Sequence, residues 1–570
     1  MERTKIAEKV LPAYDYVIVG GGTAGCVLAN RLSEDQSVTV LLLEAGYDDT
    51  EFPEIHIPAK CSTLQKTVYD WNYKTVPQKH ACKGLKNQQM PTARGKVLGG
   101  SGSLNYMVHN RGTPFDYQRW EELGCEGWGY EQILPYFLKS ENCLIPELIK
   151  KDGVRAVGGP LSVAESKFSV LADMFLKAGE ELGYKRTDNS GREPIGFMVL
   201  QMNVCNGRRG HTAQAFLRPA MNRSNLDIVT HCHVTKVIIE NKVATGVEFV
   251  RSDVHHTVQA NQEVVLSAGT IGSAQLLMLS GIGPEKHLES LGIPVVASLP
   301  VGDGLQDHVM VFGIEFETDG PYIPGDEVFS KENQQLYNSS LKGPIATCVC
   351  EGAAYVRTQR QHPDNPNPDI QIHQLSGLLS PAWKKNSGML DQYWQALFGN
   401  REGKHGFCFM PRLSHPKSRG SVRLRSANPH DYPLIDPNYL SHPDDVKTLV
   451  EGIKVCMQLG KTKAYSSLGP TFHNRILPGY RGTPYTDEYW EEYVRSLTQT
   501  VYHVVGTCRM GRADDPRTVT DPQLRVKGID RLRVVDASVM PEITSGNTNA
   551  PTVMIAEKGA DMIKQAMSFR

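Results

Sequence analysis

Apolar residues gather in short runs at the start, the middle and the end of the chain, with glycine-rich or polar segments between them. Residues 16–19 form such a run and stop at Gly20-Gly21-Gly22, which predicts a buried strand entering a tight turn. Val27, Leu28 and Leu32 follow at helical spacing, and residues 38–43 form a second apolar run that ends at Glu44. Near the middle, residues 229–239 and 263–267 read as strands. Residues 273–279 read as a helix opened by Ala268-Gly269-Thr270 and stopped at Ser280-Gly281-Ile282-Gly283-Pro284. Residues 421–425 alternate polar and apolar, as a half-buried strand does. At the C-terminal end the pattern predicts a strand over 532–535, then Asp536, a loop, and a helix over 551–567. Residues 315–410 are richer in Asn, Pro, Gln and aromatics and have little parallel-strand character.

The first of these patterns has chemical content. Gly20-x-Gly22-x-x-Gly25 lies between the first predicted strand and its helix. Gly20 permits the tight turn, Gly22 lets the backbone approach a pyrophosphate, and Gly25 lets helix and strand pack closely. Unpaired N–H groups at the helix start then face the phosphates. Glu44 lies about 20 residues beyond Gly25, where a carboxylate accepts hydrogen bonds from an adenosine ribose. Strand, turn, helix, strand and acid in this order predict a dinucleotide site.

Bulk properties narrow the class. A chain of 570 residues holds more than one domain's worth of core. With 61 basic and 62 acidic residues the net charge is −1, so no general basic field recruits nucleic acid. The apolar runs are far too short for a transmembrane segment. The first ten residues hold no apolar core of a signal peptide and include acids that transit peptides lack. No targeting signal is visible. The default expectation is cytoplasmic, with a secreted or mitochondrial location left open. The twelve cysteines show neither Cys-x-x-Cys nor zinc-finger spacing and fit either reduced thiols or a few disulfides. Asn222-Arg223-Ser224 and Asn338-Ser339-Ser340 are glycosylation triplets of a kind that also arises by chance. There is no internal repeat.

A second glycine cluster, Gly95-Lys96-Val97-Leu98-Gly99-Gly100-Ser101-Gly102-Ser103-Leu104-Asn105, follows the first motif. With Gly269 to Leu277, with His503-Val504-Val505-Gly506-Thr507-Cys508-Arg509-Met510, and with Val534 to Pro541 and Ser545 to Pro551, it resembles the glucose–methanol–choline oxidoreductase family. The likeness runs from about Tyr14 to the end. Asp70-Trp71-Asn72-Tyr73 and Leu305-Gln306-Asp307-His308 are similar to animal glucose dehydrogenase-like and choline dehydrogenase-like members. The resemblance implies an α/β fold: a Rossmann-like FAD-binding domain from three separated segments (1–155, 205–312 and 500–570). An inserted α+β substrate domain (156–204 and 313–499) carries an antiparallel sheet and helices. It implies FAD as cofactor and oxidation of an alcohol (a sugar, a choline-like donor or another small alcohol) to a carbonyl compound. Oxygen, a quinone or a dye is the expected electron acceptor. By carry-over, Gly20, Gly22, Thr23 and Ala24 hold the pyrophosphate, with Gly25 behind them, and Glu44 holds the ribose. Gly99, Gly100 and Asn105 line the flavin side, Val234 contacts adenine through its backbone, and Asp536 with the loop from Asn547 through Asn549 approaches the ribityl chain and pyrimidine.

Removing hydride from a carbinol carbon yields a carbonyl only if the hydroxyl proton also leaves, so a base must stand beside the flavin N5. His503 is the candidate, since imidazole titrates at about 6.5. Asn547 would hydrogen-bond the same oxygen and steady developing alkoxide character. Most of the 18 histidines are ordinary packing or surface residues, and only the surrounding motif singles out His503. His231 and His233, two apart on a predicted strand, would share a face, yet no third ligand is indicated and no metal is expected. Cys508 reads as a small buried side chain, Trp71 and Tyr73 as lid or core.

Several positions depart from the family pattern. His109 replaces an aromatic, either altering the flavin entrance or only packing; Ala274, Gly304 and Val504 also differ. Leu104 stands where some members carry a histidine bonded to the flavin, so FAD is expected to be noncovalent. A lyase on the same scaffold and a catalytically silent flavoprotein are the alternatives. A nicotinamide enzyme is disfavoured by the second glycine cluster.

Overall fold

The computed structural model describes residues 6, 10–150, 153–319, 327–362, 364–399, 404–472 and 475–568. One sheet of seven strands is built from β1 (Ala13–Val19), β2 (Val40–Leu43), β3 (Leu226–Val229), β4 (His233–Glu240), β5 (Val243–Arg251), β6 (Val254–Leu266) and β7 (Leu532–Val534). Its order is β3-β2-β1-β6-β5-β4, with β7 beside β6. The pairs among β3, β2, β1, β6 and β7 are parallel, whereas β6-β5 and β5-β4 are antiparallel. Val17, Ile18, Val40, Leu41 and Leu42 are fully buried, which is why these strands read as unbroken apolar runs. Helices α1 (Thr23–Leu32) and α2 (Gly269–Leu279) follow directly on the parallel strands β1 and β6, α3 (Asn549–Ser568) follows β7 after a loop, and α1 packs on α3.

The strand expected over 229–239 is two strands. β3 ends at Val229, the chain turns through Thr230-His231-Cys232, and β4 starts at His233. His231 sits at φ +57°, a left-handed conformation that cannot continue a strand. The apolar spacing hid this break because both pieces belong to the same sheet. Smaller differences lie at element ends. The β6 strand starts at Val254 rather than near 263, α2 starts at Gly269 rather than 273, and the alternating segment at 421–425 is the strand Gly420–Arg423.

The second large sheet has eight strands and is antiparallel. Gly196–Val199, Cys350–Val356, Ile370–Leu375, His405–Leu413, Ile314–Thr318 and Thr471–Phe472 lie side by side. Val309–Val311 pairs with both His405–Leu413 and Thr498–Thr500. Helices Pro443–Leu459 and Leu171–Glu181 back this sheet over a separate apolar core containing Phe175, Phe316, Phe407, Phe409 and Tyr465. The pairing of Val309–Val311 with Thr498–Thr500 places His308 and His503, distant in the chain, at adjoining strand ends. The twelve cysteines, all among the described residues, form no disulfide. Among the described residues no helix is long and apolar enough to cross a membrane.

Candidate active site

The main cavity, about 640 Å³, runs between the two sheets. Gly20, Gly22, Thr23, Ala24, Glu44, Gly100, Asn105, Val234, His503, Asp536, Asn547 and Asn549 all stand in its wall. Gly25 and Gly99 do not, and each has a packing role instead. A Cβ on Gly25 would lie 1.9 Å from the Gly20 carbonyl oxygen, so glycine there lets α1 press against the turn. Gly99 has φ +84°; a Cβ would lie 2.4 Å from Ser103 Oγ, while its N–H donates to Gly21 O at 2.8 Å.

The nucleotide end fits an anionic dinucleotide. The N-cap of α1 is Gly22, with no side-chain cap and no acid in the first turn, so its free N–H groups point into the cavity. A Cβ on Gly22 would meet no protein atom closer than 3.8 Å, leaving open space for a ligand beside the backbone. Thr23 Oγ1 donates to Asn549 Oδ1 (3.3 Å), joining the starts of α1 and α3. By contrast α2 has its own anion: Asp536 accepts from Gly269 N (2.9 Å) and Ser273 Oγ (2.6 Å) with one oxygen and from Ser538 N (2.8 Å) with the other. That carboxyl group, raised by burial, holds the C-terminal loop to α2 at the cavity edge. Glu44 is buried and accepts from Gly21 N and Gly46 N, both at 2.8 Å. Burial pushes its pKa up to about 7, against the pull of those two N–H groups and Lys96.

His503 and Asn547 meet as expected: Asn547 Nδ2 donates to His503 Nε2 at 3.1 Å. The residues behind them were not expected. His308 Nε2 lies 2.8 Å from the Ser414 carbonyl, which only accepts, so Nε2 carries the hydrogen. His308 Nδ1 is then an acceptor. It receives the Arg412 guanidinium and, at 2.9 Å, the Nδ1–H of His503. This chain of donors sets the His503 tautomer, leaving the Nε2 lone pair directed toward Asn547 and the cavity. Burial, then Arg412, holds both histidines well below the usual imidazole range, so His503 is neutral and able to accept a proton.

Backbone anchors complete the placement. His503 N donates to Asp307 Oδ1 (2.8 Å), and Thr500 and Tyr439 donate to Asp307 Oδ2. Gln306 bonds Pro541 O and Ile543 N. The Asn547 loop is held by Asp116, which accepts from Ser545 N and Ser545 Oγ, each at 2.8 Å. Thus Leu305-Gln306-Asp307-His308, visible as a motif but without an assigned role, bonds to His503 and to the segment that leads to Asn547. Arg412 and the fully buried Arg209 had no readable signal. Arg209 bonds Ile55 O, Asn105 O and Asn105 Oδ1, fixing the second glycine cluster.

The remaining sequence candidates resolve as packing. His231 and His233 do not share a strand face: His231 stands edge-on to Tyr47, while His233 packs on Trp71 and His430 in the cavity wall. Trp71 and Tyr73 stack beside it. His109 is buried against Asn203 and Glu141, away from the cavity wall. Cys508 is fully buried. Among the described residues the group with metal-like spacing is elsewhere: Asp49, His56 and His211, where Arg218 already pairs with Asp49.

Comparison with known proteins covers nearly the whole chain. The sequence model described as GMC oxidoreductase matches in its N-terminal part at residues 14–310 and in its C-terminal part at 416–556. An alcohol dehydrogenase [acceptor] of Pseudomonas putida is 39% identical, covering 96% of this chain and 95% of the relative. The mitochondrial choline dehydrogenase of Homo sapiens is 39% identical, covering 97% of this chain and 90% of that protein. The crystal structure of pyridoxine 4-oxidase from Mesorbium loti superimposes with a TM-score of 0.81 at 32% identity, covering 96% of this chain and 98% of the other. The chain belongs to the GMC oxidoreductase family, and it is an FAD-dependent enzyme that oxidises alcohol CH–OH donors.

Proposed function

We propose that His503 is the base of this oxidation and that Asn547 positions the donor hydroxyl. One observation carries the reading: the unprotonated Nε2 of a neutral imidazole and an amide donor converge at 3.1 Å in the cavity wall. A hydroxyl entering there donates its hydrogen to His503 Nε2 and accepts from Asn547 Nδ2. As the proton moves to Nε2, the oxygen's growing negative charge is met by the amide N–H. The imidazolium so formed keeps its Nδ1–H on His308, which Arg412 holds in the accepting orientation. Bound FAD supplies the hydride acceptor. The direct test is His503→Ala, read by anaerobic flavin bleaching with alcohol.

The same cavity wall supports assignments for the cofactor. The α1 N-terminus at Gly22, Thr23 and Ala24 would hold the pyrophosphate, and Glu44 the ribose hydroxyls. Those hydroxyls donate only to advantage when Glu44 is ionised, and in the free protein its pKa is about 7. FAD binding at pH 6–7 should therefore expel part of a proton and weaken as pH falls through that range. Titration calorimetry in two buffers of different ionisation enthalpy measures the release; equal heats in both would contradict the assignment, and Glu44→Gln should abolish any difference.

Leu104, in the wall, is an alkyl side chain with no nucleophile to bond a flavin. FAD is accordingly noncovalent in this reading; acid precipitation should leave a colourless pellet and a yellow supernatant. Oxygen, a quinone or a dye is the proposed acceptor, and a peroxide assay run beside a dye-linked assay separates them.

A further inference from the structure

Beyond His503 and Asn547 the cavity continues over the antiparallel sheet. Its floor comes from alternate positions on neighbouring strands: Met310, Cys350, His373, Leu375 and Met410. The register sets His373 opposite Met410 and Cys350 opposite Leu375. Phe312 and Trp383 close one side, their ring centroids 5.0 Å apart. Met and Cys make up nine of the thirteen buried residues in the cluster that contains this floor, so the surface is polarisable and adapts to varied apolar shapes.

What this half lacks is as informative. The carboxylates of the described wall are Glu44 and Asp536, and both lie at the ends of nucleotide-sheet strands. Several polar side chains near the floor are already bonded to protein, whereas the Gln499 amide nitrogen, on the residue paired with Met310, has no hydrogen-bond partner. Asn386 donates to Ser62 O, Tyr502 donates to Gln65, and Ser387 donates to Lys384 O. His373 is neutral and bonds Gln371 Oε1 at 3.0 Å; burial lowers its pKa to about 3. A polyol placed here would find the Gln499 amide but would trade most of its water hydrogen bonds for sulfur and hydrocarbon. A quaternary ammonium would find no carboxylate among the described residues of this half of the wall. Phe312 and Trp383 lie against each other, leaving no gap for a cation between their faces, and Lys384 and Lys385 ride on the same short helix as Trp383.

We infer that the donor is an uncharged alcohol with an apolar alkyl or aryl body, bound over Met310, Met410 and the neighbouring wall, rather than a sugar or a choline-like cation. The inference rests on His503 and Asn547 marking the reacting end. The test uses the flavin-loaded enzyme and measures kcat/KM for 1-alkanols of increasing length, benzyl alcohol, choline and glucose. Each methylene that enters the cavity should raise kcat/KM about three- to fourfold until the cavity is filled. Choline and glucose should fall at least about 100-fold below the best apolar alcohol. Either of them matching that alcohol overturns the inference. A second probe separates this from failure of the catalytic reading: 2-phenylpropan-2-ol, a tertiary alcohol with no carbinol hydrogen. If it perturbs the flavin spectrum on binding but no alcohol bleaches the flavin, the apolar site stands and the role of His503 falls. If neither it nor the apolar alcohols bind, the inference fails. Met410→Ala should move the optimum to longer chains at unchanged flavin content, and an unmoved optimum would remove Met410 from the site.

Discussion

Alanine in place of His503 lowers the rate of alcohol-dependent flavin reduction by about 10²- to 10⁴-fold, the range expected for loss of a positioned base. Flavin content and thermal stability stay near those of the parent enzyme. The separation follows from the geometry. The His503 ring contacts His308 and Asn547, while its backbone N–H, which alanine keeps, anchors the segment to Asp307. Truncation leaves the Asp307 anchor and the nucleotide half untouched. Stopped-flow reduction under nitrogen reads the chemical step without interference from the acceptor. Near-parental bleaching in His503→Ala would remove the imidazole from the mechanism.

Gly25→Val should yield a protein that accumulates poorly and carries little or no flavin, whereas Gly22→Ala should fold normally and bind FAD weakly. The two glycines belong to one motif but meet different surroundings. At Gly25 even a Cβ would stand 1.9 Å from Gly20 O, far inside contact distance, so α1 must lift from the turn. Overpacking of this kind costs about 1–3 kcal/mol or more, a large share of the margin of a typical domain. At Gly22 an added methyl points into the cavity, 3.8 Å from the nearest protein atom, and competes only with the ligand. Soluble yield, melting temperature and the ratio of flavin to protein absorbance distinguish the outcomes. Full flavin loading of Gly25→Val would show that the turn and helix can separate without consequence.

The nucleotide half was legible because its information is local. Two strands, the three motif glycines, one helix and one acid lie within residues 13–44, and each meets its neighbour through short chain segments. His503 and Asn547 were legible as positions inside motifs, and the fold brings them to 3.1 Å. The break at His231 was not legible, since apolar spacing carries no signal for a single left-handed residue between two strands of one sheet. The close packing of helix and strand at Gly25 was legible, whereas Gly99 was assigned to the flavin side because a motif does not say which glycines face the ligand and which face protein.

The order of apolar runs and turn glycines marked the dinucleotide half, and the motifs that carry the family resemblance pointed to the reaction class and to the two side chains proposed for it. The partners of those side chains came only with folding. His308, Arg412 and Asp307 reach His503 through strands that pair across gaps of one to two hundred residues, and no spacing rule spans such distances. The same holds for the cavity floor proposed to take the donor. Met310, Cys350, His373 and Met410 share a surface because antiparallel register aligns four separate strands, so its apolar, uncharged character is a property of the assembled sheet.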